Sequence, residues 1–312
     1  MESPIWRVAT APSSSANLGP GFDALAVALS CHVTVMVGPS GKLIVRSLGE
    51  GSGFALDRTH LAAQVVQSVL GHDRFEVVVE SSIPVARGLG SSAALAVAAA
   101  AAAGADDPLA VGTAVDGHPE NAAASVVGGL VSAAVVHGRP VAARHPLDPA
   151  LRFVVVVPER TLSTERARAA LPPSLDLAAA TFNLGRMGLL LAGLADSSLL
   201  SAAAFEDRLH QPYRSSLFPE AEAIMDALRQ GGAVGACWSG AGPSLLAVCG
   251  VDQAPQVQHV AEEALAACSV PGAAVLLDAD HRGLVVRSFA DRPDTVYGAV
   301  ERQDRRQARQ TS

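Results

Sequence analysis

The chain has few charged residues, few aromatic residues and no surplus of basic residues. Of its 312 residues, 17% are charged and 4% are aromatic, whereas 49% are hydrophobic. A chain this apolar can bury a substantial core, which excludes disorder over its whole length. With 23 Lys and Arg against 30 Asp and Glu, the formal net charge is −7. A nucleic-acid surface built on basic residues therefore has no support.

Closely spaced cysteines and long apolar runs are also missing. Cys31, Cys237, Cys249 and Cys268 show no C-x-x-C spacing, which argues against a zinc site and a disulfide framework. Residues 1–20 lack the apolar segment of a signal peptide, and the longest apolar run, at 93–103, is too short to cross a bilayer. The sequence predicts reduced thiols in a soluble, cytoplasmic protein.

Segments of strand and helix character alternate along the chain, and they predict two α+β domains. The predicted domains are residues 1–150 and 151–290, followed by a polar tail at 291–312. Two β-branched runs that flank a Gly-Pro-Ser-Gly turn predict a hairpin at residues 33–46. Helices are predicted at 61–70, 91–103 and 254–268, and from about residues 164, 176, 197 and 218. Further strands are predicted at 75–79, 130–136, 151–157, 243–249, 273–277 and 283–288, the last four in the second domain.

A glycine-rich turn opens directly into the alanine-rich helix, and residues 84–94 read PVARGLGSSAA. Gly88 and Gly90 would let the backbone approach a phosphate closely. The free N–H groups and the positive dipole end of the following helix would point at the negative charge. The segment therefore predicts a phosphate-binding loop; an ordinary helix cap is the open alternative.

Two other nucleotide-binding motifs fit less well. Residues 38–43 read GPSGKL, which has the wrong glycine spacing for a P-loop and no hydroxyl residue after the lysine. Residues 88–93 satisfy the dinucleotide pattern G-x-G-x-x-A, but Pro84 and Arg87 interrupt the strand that should precede it. A Rossmann site is the weaker interpretation.

Three ordered motifs resemble those of the GHMP kinases. They are residues 11–29, reading APSSSANLGPGFDALAVAL, the loop at 84–94, and residues 235–248, reading GACWSGAGPSLLAV. Within that superfamily the chain resembles the homoserine kinase family, through SANLGPGFD at 15–23, GHPEN at 117–121, STERAR at 163–168 and HQPYR at 210–214. The resemblance runs from about residue 7 to residue 286.

The resemblance implies a fold and an activity. The expected fold is an N-terminal domain with a left-handed βαβ crossover and a ferredoxin-like C-terminal domain, with the site in the cleft between them, commonly in a homodimer. The implied reaction is ATP-dependent phosphorylation of the L-homoserine hydroxyl to O-phospho-L-homoserine, a step of threonine biosynthesis, with ATP and Mg²⁺ as cofactors. Two alternatives stay open: a GHMP kinase for a related amino alcohol, and a non-catalytic homologue that binds a ligand or partner.

The resemblance also implies site residues. It assigns ATP binding to Pro84, Val85, Ala86, Arg87, Gly88, Leu89, Gly90, Ser91, Ser92, Ala93 and Ala94. It assigns homoserine binding to Asn17, Asp23, His118, Asn121, Arg168 and Arg214, with the two arginines as candidates for the substrate carboxylate. Ser92 and Asp116 are the expected Mg²⁺ ligands, and these two residues with Asn17 and Asp23 form the expected catalytic set. No catalytic base is assigned.

One expected ligand departs from the family pattern. Homoserine kinases typically read Glu-Gly-His-Pro-Asp-Asn, whereas residues 116–121 read DGHPEN. Asp116 is one methylene shorter than glutamate, so we expect it to reach Mg²⁺ through a small backbone shift or a water molecule, with a raised Mg²⁺ requirement.

Two further segments have less specific expectations. The glycine loop at 239–244 is expected either to serve the phosphates or the first loop, or to be a tight βα-type connection. The resemblance places adenine contacts around residues 59–65, where His60 stands in a position often held by asparagine.

Overall fold

Two β-sheets organise the chain in the computed structural model, which describes residues 5–294. The strands are β1 (Trp6–Ala16), β2 (Leu25–Pro39), β3 (Ile44–Gly49), β4 (Phe75–Ser81), β5 (Leu130–Val136), β6 (Arg139–His145), β7 (Leu151–Pro158), β8 (Gly235–Trp238), β9 (Leu245–Gly250), β10 (Gly272–Leu277) and β11 (Val285–Phe289). The α-helices are α1 (Leu61–Leu70), α2 (Ser91–Ala103), α3 (Pro108–Asp116), α4 (Glu120–Val127), α5 (Thr164–Ala169), α6 (Leu177–Ala195), α7 (Gln211–Arg214), α8 (Ala221–Gln230) and α9 (Ala254–Ala267).

The first sheet has the strand order β11-β1-β2-β4-β3, and β5 and β6 extend it from the first part of β2. The predicted hairpin at residues 33–46 is wrong, because β4 lies between β2 and β3. β3 instead runs parallel to β4 and reaches it through α1, which makes a βαβ crossover. Two β-branched runs indicate strands but carry no information on their partners, so the nearby turn was misleading. The hand of the crossover stays a prediction.

Helix α2 lies across the first sheet and carries the glycine-rich loop at its N-terminus. From Ala93 onward every residue of the helix except Leu95 is buried. Alanine side chains let the helix axis approach β1 and β2 closely, and alanine also has the highest helix propensity. The N-terminus of α2 is therefore held in a fixed place relative to the sheet.

The second sheet is antiparallel, with the strand order β10-β7-β9-β8. Helices α8 and α9 pack against it, which gives the ferredoxin-like arrangement β7-α8-β8-β9-α9-β10. The helix expected from residue 197 is wrong: the chain forms only short 3₁₀ turns at Ser197–Leu199 and Ala202–Phe205.

The chain returns to the first sheet at its end. β11 pairs antiparallel with β1, from Trp6 opposite Phe289 to Thr10 opposite Val285. The sequence placed this strand in the second domain, and the structure corrects that placement. Residues 295–312 of the predicted tail lie outside the described residues, but Arg292 donates from Nη2 to Glu76 Oε1 over 2.7 Å and so contacts the first sheet.

Helix α6 is long and apolar enough to cross a membrane by length and composition alone. Its exposed residues include Leu177 and Leu184, which are 82% and 72% accessible. Its other face joins the fold through Asn183, whose amide donates to Pro20 O at 3.1 Å and to Asp207 Oδ1 at 2.7 Å. This helix therefore helps to hold the loop that follows β1.

Candidate active site

One cavity of about 250 Å³ lies where the two sheets meet, and it gathers most of the predicted site residues. Its wall contains Asn17, Asp23, Val85, Ala86, Arg87, Gly88, Leu89, Gly90, Ser91, Ser92, Asp116, His118, Glu120, Asn121, Leu162, Ser163, Thr164, Arg168, Arg214, Gly240, Ala241 and Gly242. Of the predicted set, Pro84, Ala93 and Ala94 do not line it; the two alanines are fully buried in the packed face of α2.

The phosphate loop, residues 84–94, is held by its carbonyl oxygens. Ala86 O accepts from Leu162 N at 3.1 Å, and Arg87 O accepts from Ser244 N at 3.3 Å. Gly88 O accepts from Ser239 Oγ at 2.7 Å, and Leu89 O accepts from Ser14 N at 3.1 Å. The first N–H groups of α2 have no partner within the helix and stay available for an anion. Gly90, the residue that caps α2, has φ of 63°. A loop with its carbonyls directed into the protein suits a phosphate rather than a cation.

The loop between β1 and β2 presents Asp23. Asn17, Leu18 and Asp23 all have positive φ, at 72°, 48° and 55°, a conformation that costs energy in non-glycine residues and often occurs at functional sites. The side-chain amide of Asn17 stabilises this loop conformation through two hydrogen bonds. Its Oδ1 accepts from Asp23 N at 3.0 Å, and its Nδ2 donates to Gly240 O at 2.9 Å. One amide hydrogen of Asn17 remains for a ligand.

Two guanidinium groups that line the cavity also lie near one aromatic ring. Arg168 Cζ and Arg214 Cζ each lie 5.6 Å from the centroid of Phe22. Arg168 is placed by α5, which Ser163 caps by accepting from Arg166 N at 3.2 Å. Its Nη2 donates to Asp23 Oδ1 over 2.6 Å. Two arginines this close are stabilised when an anion lies between them.

Arg214 is buried, with only 2% of its surface exposed. Burial lowers its pKa to about 10, and the charge of Arg168 acts in the same direction. Its Nη1 donates to Gly240 O at 2.9 Å, while its buried Nε has no hydrogen-bond partner among residues 5–294. A desolvated guanidinium with a free donor is prepared for a carboxylate.

His210 holds the Arg214 side chain in place through a hydrogen bond. The ring nitrogen Nε2 lies 2.8 Å from Gly19 O, so it must donate, and Nδ1 accepts from Arg214 Nη1 at 3.1 Å. Burial lowers the pKa of His210, although the charge of Asp207 opposes this. The Asp207 carboxylate in turn accepts from His210 N at 3.0 Å and Gln211 N at 2.7 Å at the start of α7. His210 is therefore neutral, with its proton on Nε2.

Asp116 and Ser92, the predicted metal ligands, lie next to each other on the cavity wall. Burial raises the pKa of Asp116 to about 6, while His118 and the contacts with Asn121 and Ser92 oppose the shift. Asn121 Nδ2 donates to Asp116 Oδ2 at 3.4 Å and Ser14 Oγ donates to Asn121 Oδ1 at 2.9 Å. A desolvated carboxylate beside a hydroxyl provides the oxygen donors that Mg²⁺ prefers, so these residues fit the ion.

The charge on Asp116 should destabilise the protein when no cation is bound. Because its folded pKa of about 6 exceeds the ordinary 3.8, the folded state binds the proton more tightly, and stability falls as pH rises through that interval. We therefore expect Asp116→Asn to raise the melting temperature of the metal-free protein at neutral pH, and to raise it less near pH 5. Thermal unfolding in the presence of a chelator measures this.

The exposed Asp252 provides the control, since Asp252→Asn removes a charge that is already hydrated. A melting temperature of Asp116→Asn at or below that of the parent protein at neutral pH would contradict the expectation.

Glu120 lines the cavity but was not among the residues predicted from the sequence. It is 1% exposed, its Oε1 lies 2.7 Å from His118 Nδ1, and its Oε2 has no partner in the described part of the chain. Burial alone would lower the pKa of His118, but Glu120, Asp116 and Asp23 outweigh burial and raise it. The sequence did offer a signal for this residue, because Glu120 stands two positions after the histidine of the GHPEN motif.

Ligand atoms of Asp23, His118 and Glu120 lie within 4.8 Å of one another, a spacing that a metal ion could use. Asp23 is already paired with Arg168 at 2.6 Å, and His118 contributes nitrogen rather than oxygen. This group therefore suits the polar end of an organic substrate better than Mg²⁺.

A second cavity, of about 490 Å³, adjoins the first and shares Val85, Ser91 and Ser92 with it. Its wall is more apolar and contains Phe54, Ala55, Thr59, His60, Leu61 and Leu95. His60 also caps α1, because its Nδ1 accepts from Ala62 N at 3.2 Å. The two cavities together offer a polar chamber and an apolar chamber on the two sides of the phosphate loop.

The loop at 239–244 connects the antiparallel strands β8 and β9, so the βα-type connection is wrong. Ser239 N donates to Ser244 O at 2.9 Å within the loop. Ser239 Oγ donates to Gly88 O at 2.7 Å. This loop therefore packs on the phosphate loop, which agrees with the expectation that it supports the first loop.

Comparisons with known proteins agree with this fold and site. The family model for the GHMP kinases N terminal domain matches residues 57–129, and the model for the GHMP kinases C terminal region matches residues 178–267. A phosphate loop and an adjoining polar cavity, carried by two such domains, define a GHMP kinase.

Relatives that match over most of the chain identify the family within the GHMP kinases. The chain is 38% identical to the homoserine kinase of Moorella thermoacetica, over 79% of this chain and 87% of that protein. It is 37% identical to the homoserine kinase of Streptomyces coelicolor, over 95% of this chain and 100% of that one. The crystal structure of homoserine kinase from Cytophaga hutchinsonii superposes with a TM-score of 0.80 at 26% identity, covering 92% of this chain and 98% of that chain. The chain belongs to the homoserine kinase family.

Proposed function

We propose that this enzyme transfers the γ-phosphoryl group of ATP to the side-chain hydroxyl of L-homoserine, forming O-phospho-L-homoserine for threonine biosynthesis. One observation carries the proposal: a single cavity is lined both by the phosphate loop and by Arg168 and Arg214. The N–H groups of the loop bind the triphosphate, and the guanidinium pair binds the substrate carboxylate. The amino acid is thus anchored beside the group it receives.

The ammonium group of homoserine requires acceptors. Asp23, which also accepts from Arg168, lies near His118 and Glu120, and Asn17 lines the same cavity. Asn121 completes this wall, although its amide is engaged by Ser14 and Asp116. Phosphoryl transfer depends mainly on positioning and charge neutralisation, so these residues act by aligning the hydroxyl rather than by removing its proton.

Ser92 and Asp116 are the residues that would hold Mg²⁺. The ion would neutralise charge that develops on the phosphates. Asp116 receives the ion more readily when ionised, which its raised pKa of about 6 permits at neutral pH. The adenine base is accommodated by the neighbouring apolar cavity around Phe54 and Leu61.

A coupled ADP-release assay tests the function. We expect turnover on L-homoserine at least about tenfold above that on serine, threonine, mevalonate and shikimate, a difference of about 1.4 kcal/mol in transition-state binding. Preference for another amino alcohol would favour a related GHMP kinase. ATP binding without turnover on any alcohol would favour a non-catalytic homologue.

The cellular setting and assembly follow from the same proposal. A biosynthetic kinase with ATP and an amino acid as substrates would work in the cytoplasm, without a membrane or nucleic-acid partner. The family resemblance implies a homodimer, which the molecular mass in solution tests. A monomeric mass at the concentrations of the kinetic assay would contradict it.

A further inference from the structure

Arg87 belongs to the phosphate loop, but its side chain is directed at main-chain oxygens. Nε donates to Pro158 O at 2.9 Å, Nη2 donates to Glu159 O at 2.9 Å and Nη1 donates to Val85 O at 3.1 Å. Every nitrogen of the guanidinium thus has a carbonyl partner. The planar fork of arginine serves these three acceptors from three separate nitrogens, whereas the three donors of a lysine ammonium all lie on one nitrogen.

The distant acceptors lie at a rigid point of the second sheet. Pro158 ends β7, which is paired on both sides by β9 and β10. Glu159 continues the pairing, since its N–H donates to Pro271 O at 2.8 Å. Arg87 therefore joins the phosphate loop to an inner strand of the other sheet.

The segment that Arg87 holds is conformationally costly. Ala86 has φ of 54°, a left-handed conformation for a residue with a side chain. The bond from Arg87 Nη1 to Val85 O closes the turn around Ala86, and Leu162 N donates to Ala86 O at 3.1 Å. Without the arginine side chain, the turn would lose its bond to Val85 O and its bonds to Pro158 O and Glu159 O. It would then relax toward a commoner backbone conformation.

We propose that Arg87 is a positioning residue for the nucleotide: it binds carbonyls of the second domain, and so keeps the N–H groups of the phosphate loop directed at the phosphates. This rests on the proposed ATP site. It assigns the guanidinium no direct contact with phosphate. Loss of the side chain should then weaken nucleotide binding and leave homoserine binding nearly intact.

The experiment compares Arg87→Ala and Arg87→Lys with the parent enzyme. We expect the alanine variant to bind ATP about tenfold more weakly, by calorimetry and by KM, with the KM for homoserine changed less than about twofold. A lysine ammonium cannot span acceptors on both sides of the loop, so Arg87→Lys should remain at least about threefold weaker. Guanidinium ion at tens of millimolar should restore much of the ATP affinity of Arg87→Ala, since it can occupy the vacated fork.

The matched control is Arg229→Ala, which removes a partly exposed arginine that is paired with Glu222 and Asp226 and does not line the cavity. It should leave both KM values unchanged, with or without guanidinium. Thermal unfolding of each variant separates lost affinity from lost fold.

Three results would overturn the proposal. They are an unchanged ATP affinity in Arg87→Ala, full recovery by lysine, which indicates a direct charge contact with phosphate, and a parallel loss of affinity for ATP and homoserine. If the parent protein itself binds no ATP, the proposed function fails instead, so the two failures are distinguishable.

Discussion

Replacing Arg214 with alanine is expected to lower kcat/KM for homoserine by about 10³-fold. Truncating one partner of a buried charge pair costs about 2–5 kcal/mol, and each 1.4 kcal/mol is a factor of about ten. Arg214 is 2% exposed and has a buried Nε without a partner in the described structure. The substrate carboxylate would pair with the guanidinium group where it lines the cavity, and the Gly240 and His210 contacts fix the plane in which it binds.

Steady-state kinetics with two substrates measure this effect. 3-Aminopropan-1-ol lacks the carboxylate, so the parent enzyme and Arg214→Ala should use it with similar kcat/KM. ATP affinity should change less than about twofold. Arg166→Ala removes an exposed arginine from α5 and serves as the control. The assignment is wrong if Arg214→Ala loses activity equally on both alcohols.

Gly88→Ala should reduce nucleotide affinity by about 10²-fold. Gly88 has φ of 75°, and an added Cβ would overlap the carbonyl oxygen of Ser239 and approach Gly242 N to 2.8 Å. Both obstacles are backbone atoms of the loop at 239–244, so neither can rotate away. The phosphate loop would have to shift by a fraction of an ångström or more, and misplacement on that scale costs about 100-fold in positioned chemistry.

Gly71→Ala provides a closely matched control. Gly71 ends α1 with φ of 73°, and an added Cβ would meet no atom within 4 Å. Both substitutions incur the left-handed strain of about 1–2 kcal/mol, but only Gly88→Ala adds a clash. Calorimetry with ADP should show full affinity in Gly71→Ala. Equal affinities in the two variants would mean that the loop tolerates the displacement.

The sequence predicted those parts of the fold whose signal is local. Helix α2 and its glycine-rich start were predicted with their bounds, because alanine propensity and turn chemistry act over neighbouring residues. The hairpin at residues 33–46 failed because β4 arrives from about thirty residues further along to separate the two strands. The partner of a strand depends on packing, which short-range patterns do not encode.

The candidate site could likewise be predicted from the sequence only in part. Motifs identified which residues meet, and Asp23, Arg168 and Arg214 do line one cavity. They did not reveal that the Asn17 amide donates to Gly240 O, or that Arg87 contacts the carbonyl of Pro158 at the end of β7. Those two partners lie 223 and 71 residues away along the chain. A motif names a residue's position but not the distant atoms that orient it.

The pairing of β11 with β1 has a consequence for biosynthesis. The edge of β1 obtains its partner only when residues about 280 positions further along have been made, roughly 15–55 s later at common translation rates. Until then the apolar cluster of Trp6, Val8, Met36 and Val78 lacks Phe289, which packs against it. The nascent N-terminal half therefore emerges from the ribosome with an open strand edge, at which another chain could pair. A premature stop before residue 285 would leave that edge permanently open and favour aggregation of the product.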